Sequence, residues 1–154
     1  MKKTKEIGFI GLGKMGGHIA ASLKSKGWNV IGFDVDPKLS DVSSLKELIE
    51  QLPLPRIVWL MVPAYAKASA GKPAGKPVDK VLKEIVPLLK KGDIVIDGGN
   101  SYYKDSLRRA KKLKQRGVEF LDIGVSGGPV SIKLGKFAIM VGGEKRIYEK
   151  CKPI

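Results

Sequence analysis

The chain has 154 residues, 43% of them hydrophobic and 6% aromatic, with 19 glycines, which suits one globular domain and excludes disordered and fibrous classes. One cysteine, Cys151, and one histidine, His18, exclude a disulfide framework and a zinc site of ordinary ligand count, so no metal ligands are expected. The net charge of +14 would attract any polyanion, and only the arrangement of the basic residues can separate a nucleic-acid binder from a protein that handles small anions.

The opening MKKTK resembles the charged start of a signal peptide, but Gly8, Gly11 and Lys14 interrupt the apolar stretch behind it. The longest apolar run elsewhere, Ile57 to Ala66, falls short of the roughly 20 residues a membrane span needs. The expectation is a soluble cytoplasmic protein with no membrane partner.

Glu6 to Ile10 reads as a strand that stops at Gly11, and Met15, Ile19 and Leu23 then recur at helical spacing until Gly27. Asn29 to Phe33 is a second strand ending at Asp34. A short helix over Leu45 to Leu52 is closed by Pro53 and Pro55, and a third strand is expected over Arg56 to Val62. The stretch from Ala64 to Pro77 repeats Ala-Gly-Lys-Pro and reads as a surface loop.

Val78, Val81, Leu82, Ile85, Leu88 and Leu89 share one helical face, with Pro87 interrupting the last turn. A strand over Ile94 to Asp97 runs into Gly98, Gly99, Asn100 and Ser101. In the helix between Tyr102 and Arg116, Leu107, Ala110 and Leu113 form the apolar stripe, and Arg108, Arg109, Lys111, Lys112 and Arg116 are expected mostly on the solvated side. No aromatic stacking platform accompanies these cations, so a nucleic-acid partner is not expected.

Strands follow at Val118 to Asp122 and Lys136 to Val141, and a last helix begins at Lys145. Alternating strands and helices with short connections predict an α/β, Rossmann-like, doubly wound and mainly parallel sheet with helices on both faces. One dinucleotide-binding domain over 1–154 is expected.

Three short motifs could carry chemistry. Gly11-Leu12-Gly13-Lys14-Met15-Gly16 matches G-x-G-x-x-G between a strand and a helix, and Asp34 ends the next strand. In that context the glycines permit a tight turn, close approach of backbone to a pyrophosphate, and helix-on-strand packing. A carboxylate at Asp34 would accept ribose hydroxyls and repel the extra phosphate of NADP, and Val35 and Asp36 supply no arginine clamp, which favours NAD while leaving NADP possible.

Gly124-Val125-Ser126-Gly127-Gly128 matches a nucleophile elbow, but that class needs a histidine after the serine and His18 precedes it. Gly71 to Lys76 has the wrong spacing for a phosphate loop and is followed by Pro77.

GFIGLGKMG, WLMVPA, DGGNSYYKDSLRRAKKL and FLDIGVSGG followed by MVGG, in this order, resemble the decarboxylating 6-phosphogluconate dehydrogenases, within the wider 3-hydroxyacid dehydrogenase family. The resemblance implies oxidative decarboxylation of 6-phosphogluconate to ribulose 5-phosphate, a step of the pentose phosphate pathway, so the small-molecule partner would be a phosphorylated sugar acid. It places the cofactor pyrophosphate at Gly11 to Gly16 and the adenosine ribose at Asp34, Val35 and Asp36. Val62, Pro63 and Ala64 would line the cofactor's course. Asn100 would touch cofactor and substrate, and Ser126, Gly127 and Gly128 would bind substrate.

Four departures from the family accompany this. Asp34-Val35-Asp36 replaces the Asn-Arg pattern of NADP-using members, and His18 stands where asparagine is usual. About ten residues, near Tyr65 to Ala74, look inserted. The family continues into a helical domain carrying the catalytic acid and base, so no catalytic residue is assigned here and the chain is expected to be inactive alone, with a missing helical domain or second chain as its partner. The alternatives are the cofactor domain of another 3-hydroxyacid dehydrogenase or a non-catalytic nucleotide-binding module.

Overall fold

The computed structural model describes residues 5–63 and 76–154. The expected insertion and Ala64 lie outside the described residues.

In chain order the elements are β1 (Glu6–Ile10), α1 (Lys14–Ser25), β2 (Asn29–Phe33), α2 (Leu45–Gln51), β3 (Ile57–Leu60), α3 (Pro77–Ile85), β4 (Ile94–Asp97), α4 (Tyr103–Lys114), β5 (Glu119–Ser126), α5 (Pro129–Lys133), β6 (Ala138–Gly143) and α6 (Lys145–Cys151). The described strands form one sheet of order β2-β1-β3-β4-β5-β6. Every pairing is parallel except β5 with β6, where Val125 faces Ile139 and Leu121 faces Gly143. This is the mainly parallel, doubly wound sheet that the alternation of elements predicts, with an antiparallel edge.

The twofold strand period divides the core. Ile7, Phe9, Trp59, Ile96, Leu121 and Ile123 lie on the face covered by α1, α5 and α6. Ile10, Val58, Leu60 and Val95 lie on the other, beneath Leu48 of α2, Val78, Leu82 and Ile85 of α3, and Leu113 of α4. Both faces are buried, so the central strands read as continuous apolar runs instead of alternating ones.

Local signals account for several boundaries. The Ser44 hydroxyl accepts from the Glu47 amide at 3.1 Å and caps α2, while the Glu47 carboxylate reaches back to the Ser43 amide at 2.8 Å. Pro77 occupies the first turn of α3, where its missing N–H costs nothing. Pro87 converts the end of that helix into a 3₁₀ turn over Val86–Leu88, as expected of a proline there.

Three sequence expectations need correction. The apolar run around β3 is longer than the strand, because the chain leaves the sheet after Leu60 to form the cleft wall. β5 extends to Ser126, so Gly124, Val125 and Ser126 are strand residues and not loop. In α4 the expected stripe is rotated: Leu107 is 66% exposed and Arg109 is 2% exposed, because two carboxylates beneath the helix draw the guanidinium inward.

The edge strand β6 is exposed along its whole length, with Ile139, Met140 and Val141 on the surface. Among the described residues no helix is long and apolar enough to cross a membrane.

Candidate functional site: a cleft at the carboxyl ends of the strands

β1 and β3 are sheet neighbours, yet the chain leaves β1 for β2 on one side and continues from β3 toward β4 on the other. At such a reversal the connections diverge and leave a crevice outside the carboxyl ends of the strands. Here that crevice is a cleft of about 1000 Å³.

Its floor is the glycine-rich turn. Gly11 has φ +95, and a Cβ there would stand 2.7 Å from the Met61 carbonyl oxygen. At Gly16 a Cβ would stand 2.0 Å from the Gly11 carbonyl oxygen, so α1 lies against the turn only because that side chain is missing. At Gly13 a Cβ would meet nothing within 4 Å. The first and third glycines are therefore demanded by the protein's own packing, whereas the second faces the open cleft.

α1 begins at Lys14 with no side-chain cap and no acidic residue in its first turn. The N–H groups of a first turn have no intrahelical partner and, with the helix dipole, favour an anion. Lys14, Lys76 and Lys80 add positive charge around the cleft, with Glu84 and Asp34 as its carboxylates.

Asp34 is fixed more firmly than its position at a strand end requires. One carboxylate oxygen accepts from the Leu12 amide at 2.7 Å and the other from the Asp36 amide at 2.9 Å. The Ser40 hydroxyl binds the Asp34 backbone on both sides, accepting from its N–H at 2.7 Å and donating to its carbonyl at 2.8 Å. The negative charge is thus held beside the turn, within the cleft lining.

The cleft brings together most residues expected there. Gly11, Gly13, Lys14, Met15 and Gly16 line it from the turn after β1 and the start of α1, Asp34 and Val35 from the segment after β2, and Val62 and Pro63 from the segment after β3. Leu12 and Asp36 instead support the turn and its carboxylate through their backbone amides. Sequence reasoning missed the far wall: Ser43, Ser44 and Leu45 at the start of α2, and Pro77, Lys80, Val81 and Glu84 of α3. The Ser-x-x-Glu capping signal locates α2, but nothing local shows which element lies opposite the turn.

A second group gathers at the ends of β4 and β5. Asn100 adopts φ 52, the left-handed region, and the residue before α4 that caps it is Tyr102, so Asn100 is not the cap. Its carboxamide spans to β5, accepting from the Val125 amide at 3.0 Å and donating to the Val125 carbonyl at 3.4 Å. One Nδ2 hydrogen remains for other partners.

Gly98, directly after β4, is closely packed. A Cβ on it would stand 2.5 Å from Met61 Sδ and from Trp59 Nε1, so the bare backbone there makes room for the protein's own side chains. Ser126, Gly127 and Gly128 follow Val125 directly, all exposed, and Gly128 has open space where a Cβ would be. The Asn100 bridge therefore holds the two expected substrate segments side by side.

Beneath this turn lies a charged cluster. Asp97 is wholly buried, Arg109 contacts it, and Asp79 of α3 closes the group. Burial pushes the Asp79 carboxyl up, but hydrogen bonds and charge from Arg109 and Arg108 outweigh this and hold it below the usual value. Asp122, the cross-strand neighbour of Asp97, is pushed up, first by burial and then by the Asp97 charge, against a lowering contribution from Ser106. Among the described residues there is no cluster of histidine, cysteine and acidic side chains that could hold a metal ion.

Comparison with known proteins places the chain in one family. The profile of the family described as the NAD binding domain of 6-phosphogluconate dehydrogenase covers residues 6–154. The chain is 39% identical to a Bacillus subtilis protein named 6-phosphogluconate dehydrogenase, NAD(+)-dependent, decarboxylating, over 96% of this chain and 32% of that protein. It is 35% identical to the decarboxylating 6-phosphogluconate dehydrogenase of Staphylococcus aureus, over 98% of this chain and 33% of the relative.

Among solved structures, Plasmodium falciparum 6-phosphogluconate dehydrogenase, described in complex with its cofactor NADP+ and with its substrate, superposes with a TM-score of 0.82 at 33% identity, over 96% of this chain and 32% of that one. Mycobacterium tuberculosis 3-hydroxyisobutyrate dehydrogenase gives 0.81 at 23% identity, over 98% and 50%, a likeness of fold. The chain spans about a third of the length of the 6-phosphogluconate dehydrogenases it matches.

Proposed function

The chain belongs to the family of 6-phosphogluconate dehydrogenase NAD-binding domains, and from that premise we propose that it binds NAD in preference to NADP as the cofactor part of a decarboxylating 6-phosphogluconate dehydrogenase. The observation that carries the preference is Asp34, whose carboxylate is pinned to the Leu12 and Asp36 amides at the rim of the cleft. A fixed anion there accepts hydrogen bonds from ribose hydroxyls and repels a 2′-phosphate. Being tied at both oxygens, it cannot swing away to admit that phosphate without losing two charge-assisted hydrogen bonds.

The residues present fit the dinucleotide on structural grounds. The cleft has the volume for it, Gly13 leaves backbone open to close approach, and the uncapped first turn of α1 offers N–H groups to the pyrophosphate. Val62 and Pro63 form the wall along which the nicotinamide half would lie. The bound cofactor supplies hydride acceptance; this chain supplies its orientation.

The substrate would sit at the ends of β4 and β5. There Asn100, steadied by Val125, presents its remaining Nδ2 hydrogen, and Ser126 to Gly128 present a hydroxyl and exposed backbone N–H groups suited to a phosphorylated sugar acid. In this reading Ser126 donates a hydrogen bond and is not a nucleophile. No acid or base of the chemical step is assigned to these residues, whose part is to hold and orient cofactor and substrate.

The test is an NMR titration of the 154-residue chain with NAD. The Gly13, Lys14, Met15 and Val62 amides should move first and furthest. Shifts centred on β6 or α6, with the glycine-rich turn unmoved, would refute the placement.

A further inference from the structure

Arg109 joins three elements that are far apart in sequence. Its Nε and Nη2 donate to the two carboxylate oxygens of Asp79, in the first turn of α3, at 2.9 and 3.2 Å. Its Nη1 donates to Asp97 Oδ2 at 3.1 Å and to the Ser101 hydroxyl at 2.8 Å. Ser101 passes its own hydrogen to Asp97 Oδ2 at 2.7 Å, and Asp97 Oδ1 accepts from the Gly99 amide at 3.0 Å.

These bonds clamp the turn on both sides of Asn100. That matters because Asn100 sits at φ 52, a conformation that a side-chain-bearing residue keeps only when its surroundings determine it. Its carboxamide must also stay aligned with both polar groups of Val125, 25 residues away. The far end of the same guanidinium grips α3, the helix that supplies Pro77, Lys80, Val81 and Glu84 to the dinucleotide cleft.

The fork is matched to its partners. A planar guanidinium can serve Asp79 with two parallel donors while Nη1 serves Asp97 and Ser101; an ammonium group at that place has no such geometry. A buried ion cluster is poor evidence of stabilisation, since desolvation offsets much of its attraction. What this cluster does uniquely is fix the positions of α3, β4 and the Asn100 turn relative to one another.

We propose that Arg109 is a positioning residue: through Asp97 and Ser101 it holds the Asn100 turn against β5, and through Asp79 it couples that turn to the α3 wall of the dinucleotide cleft. The coupling rests on the assignment of the cleft to the cofactor proposed above, whereas the holding role is a property of the ligand-free chain.

The experiment is amide hydrogen exchange by NMR on the free 154-residue chain, followed by NAD titration of the same samples. In Arg109→Lys, which keeps the charge, the Val125 amide that donates to Asn100 should exchange at least about tenfold faster while the Val58 and Val95 amides in the sheet centre keep their rates. Ser101→Ala, which removes one acceptor of Arg109 and one donor to Asp97, should show the same pattern at smaller amplitude, and it serves if Arg109→Lys does not fold. NAD should bind Arg109→Lys about three- to tenfold more weakly, a coupling of ordinary size. Leu107→Ala, on the exposed side of the same helix, should leave both readouts unchanged.

Unchanged Val125 exchange in the folded variants, or loss of protection spread evenly over the sheet, would overturn the holding role. Faster Val125 exchange with unchanged NAD affinity would overturn the coupling. A wild-type chain that fails to bind NAD would remove the cofactor assignment and the coupling together, and exchange in the free chain would still decide whether Arg109 holds the turn.

Discussion

The carboxylate of Asp34 and the backbone amide of Leu12 meet at 2.7 Å, joining the end of the second strand to the middle of the glycine-rich turn. The residue proposed to recognise the ribose is thereby also a support of the turn proposed to receive the pyrophosphate. Removing it should do more than erase a contact to ligand. Asp34→Ala should weaken NAD binding about 10- to 100-fold, the loss expected of one or two hydrogen bonds to a charged group. Asp34→Asn, which can still accept from Leu12, should lose less affinity for NAD and bind NADP better than the parent chain. Calorimetric titration of both cofactors against both variants checks this.

Gly13 and Gly16 should separate binding from folding. Gly16→Ala places a methyl carbon 2.0 Å from the Gly11 carbonyl oxygen and must push α1 off the turn, a strain of about 1–3 kcal/mol visible as a lower melting temperature. Gly13→Ala meets no protein atom within 4 Å. Its melting temperature should stay near the parent's while NAD affinity falls. Equal effects of the two substitutions on stability would contradict the assignment of Gly13 to the ligand.

Two half-buried carboxylates near Arg109 should respond to pH in opposite senses. Asp122 has a folded-state pKa above its ordinary value, so its ionisation costs stability as pH rises through that raised value. Asp122→Asn should melt higher than the parent at pH 7, and the difference should vanish toward pH 3. Asp79 is held below its ordinary value, and its contribution is present at neutral pH and disappears as pH falls through the lowered value. Asp79→Asn should therefore melt lower at pH 7 and approach the parent in acid. Thermal melts across pH 3 to 7 distinguish the signs.

Cys151 should be nearly inert. Burial pushes its thiol up to about 11, so at pH 8 only about one molecule in a thousand carries thiolate. Alkylation by iodoacetamide should run roughly 100-fold slower than for a free thiol of ordinary pKa and should accelerate on unfolding in urea.

The sheet, the order of its elements and the glycine-rich turn were legible in the sequence because each rests on a local pattern: apolar runs, helical spacing, and glycines between a strand and a helix. Arg109 was misplaced for a physical reason. Periodicity assigns a cation to solvent, and nothing within α4 shows that Asp97 and Asp79 wait beneath it. The crowding at Gly98 is hidden from local sequence for the same reason, since Met61 and Trp59, which fill the space, come from another strand and its following loop. Asn100 stood out as a site residue, but its bridge to Val125 is a tertiary fact. The α3 wall was invisible for the same reason, as it faces the turn only once the sheet has formed.

The central claim is that the fixed Asp34 carboxylate makes this an NAD-selecting cofactor domain. Isothermal titration of the 154-residue chain with NAD and NADP at one ionic strength tests it most directly. The expected result is NAD binding at least about tenfold tighter than NADP, the effect of about 1.4 kcal/mol of charge repulsion at the 2′ position. NADP binding as tight as NAD, or tighter, would contradict it.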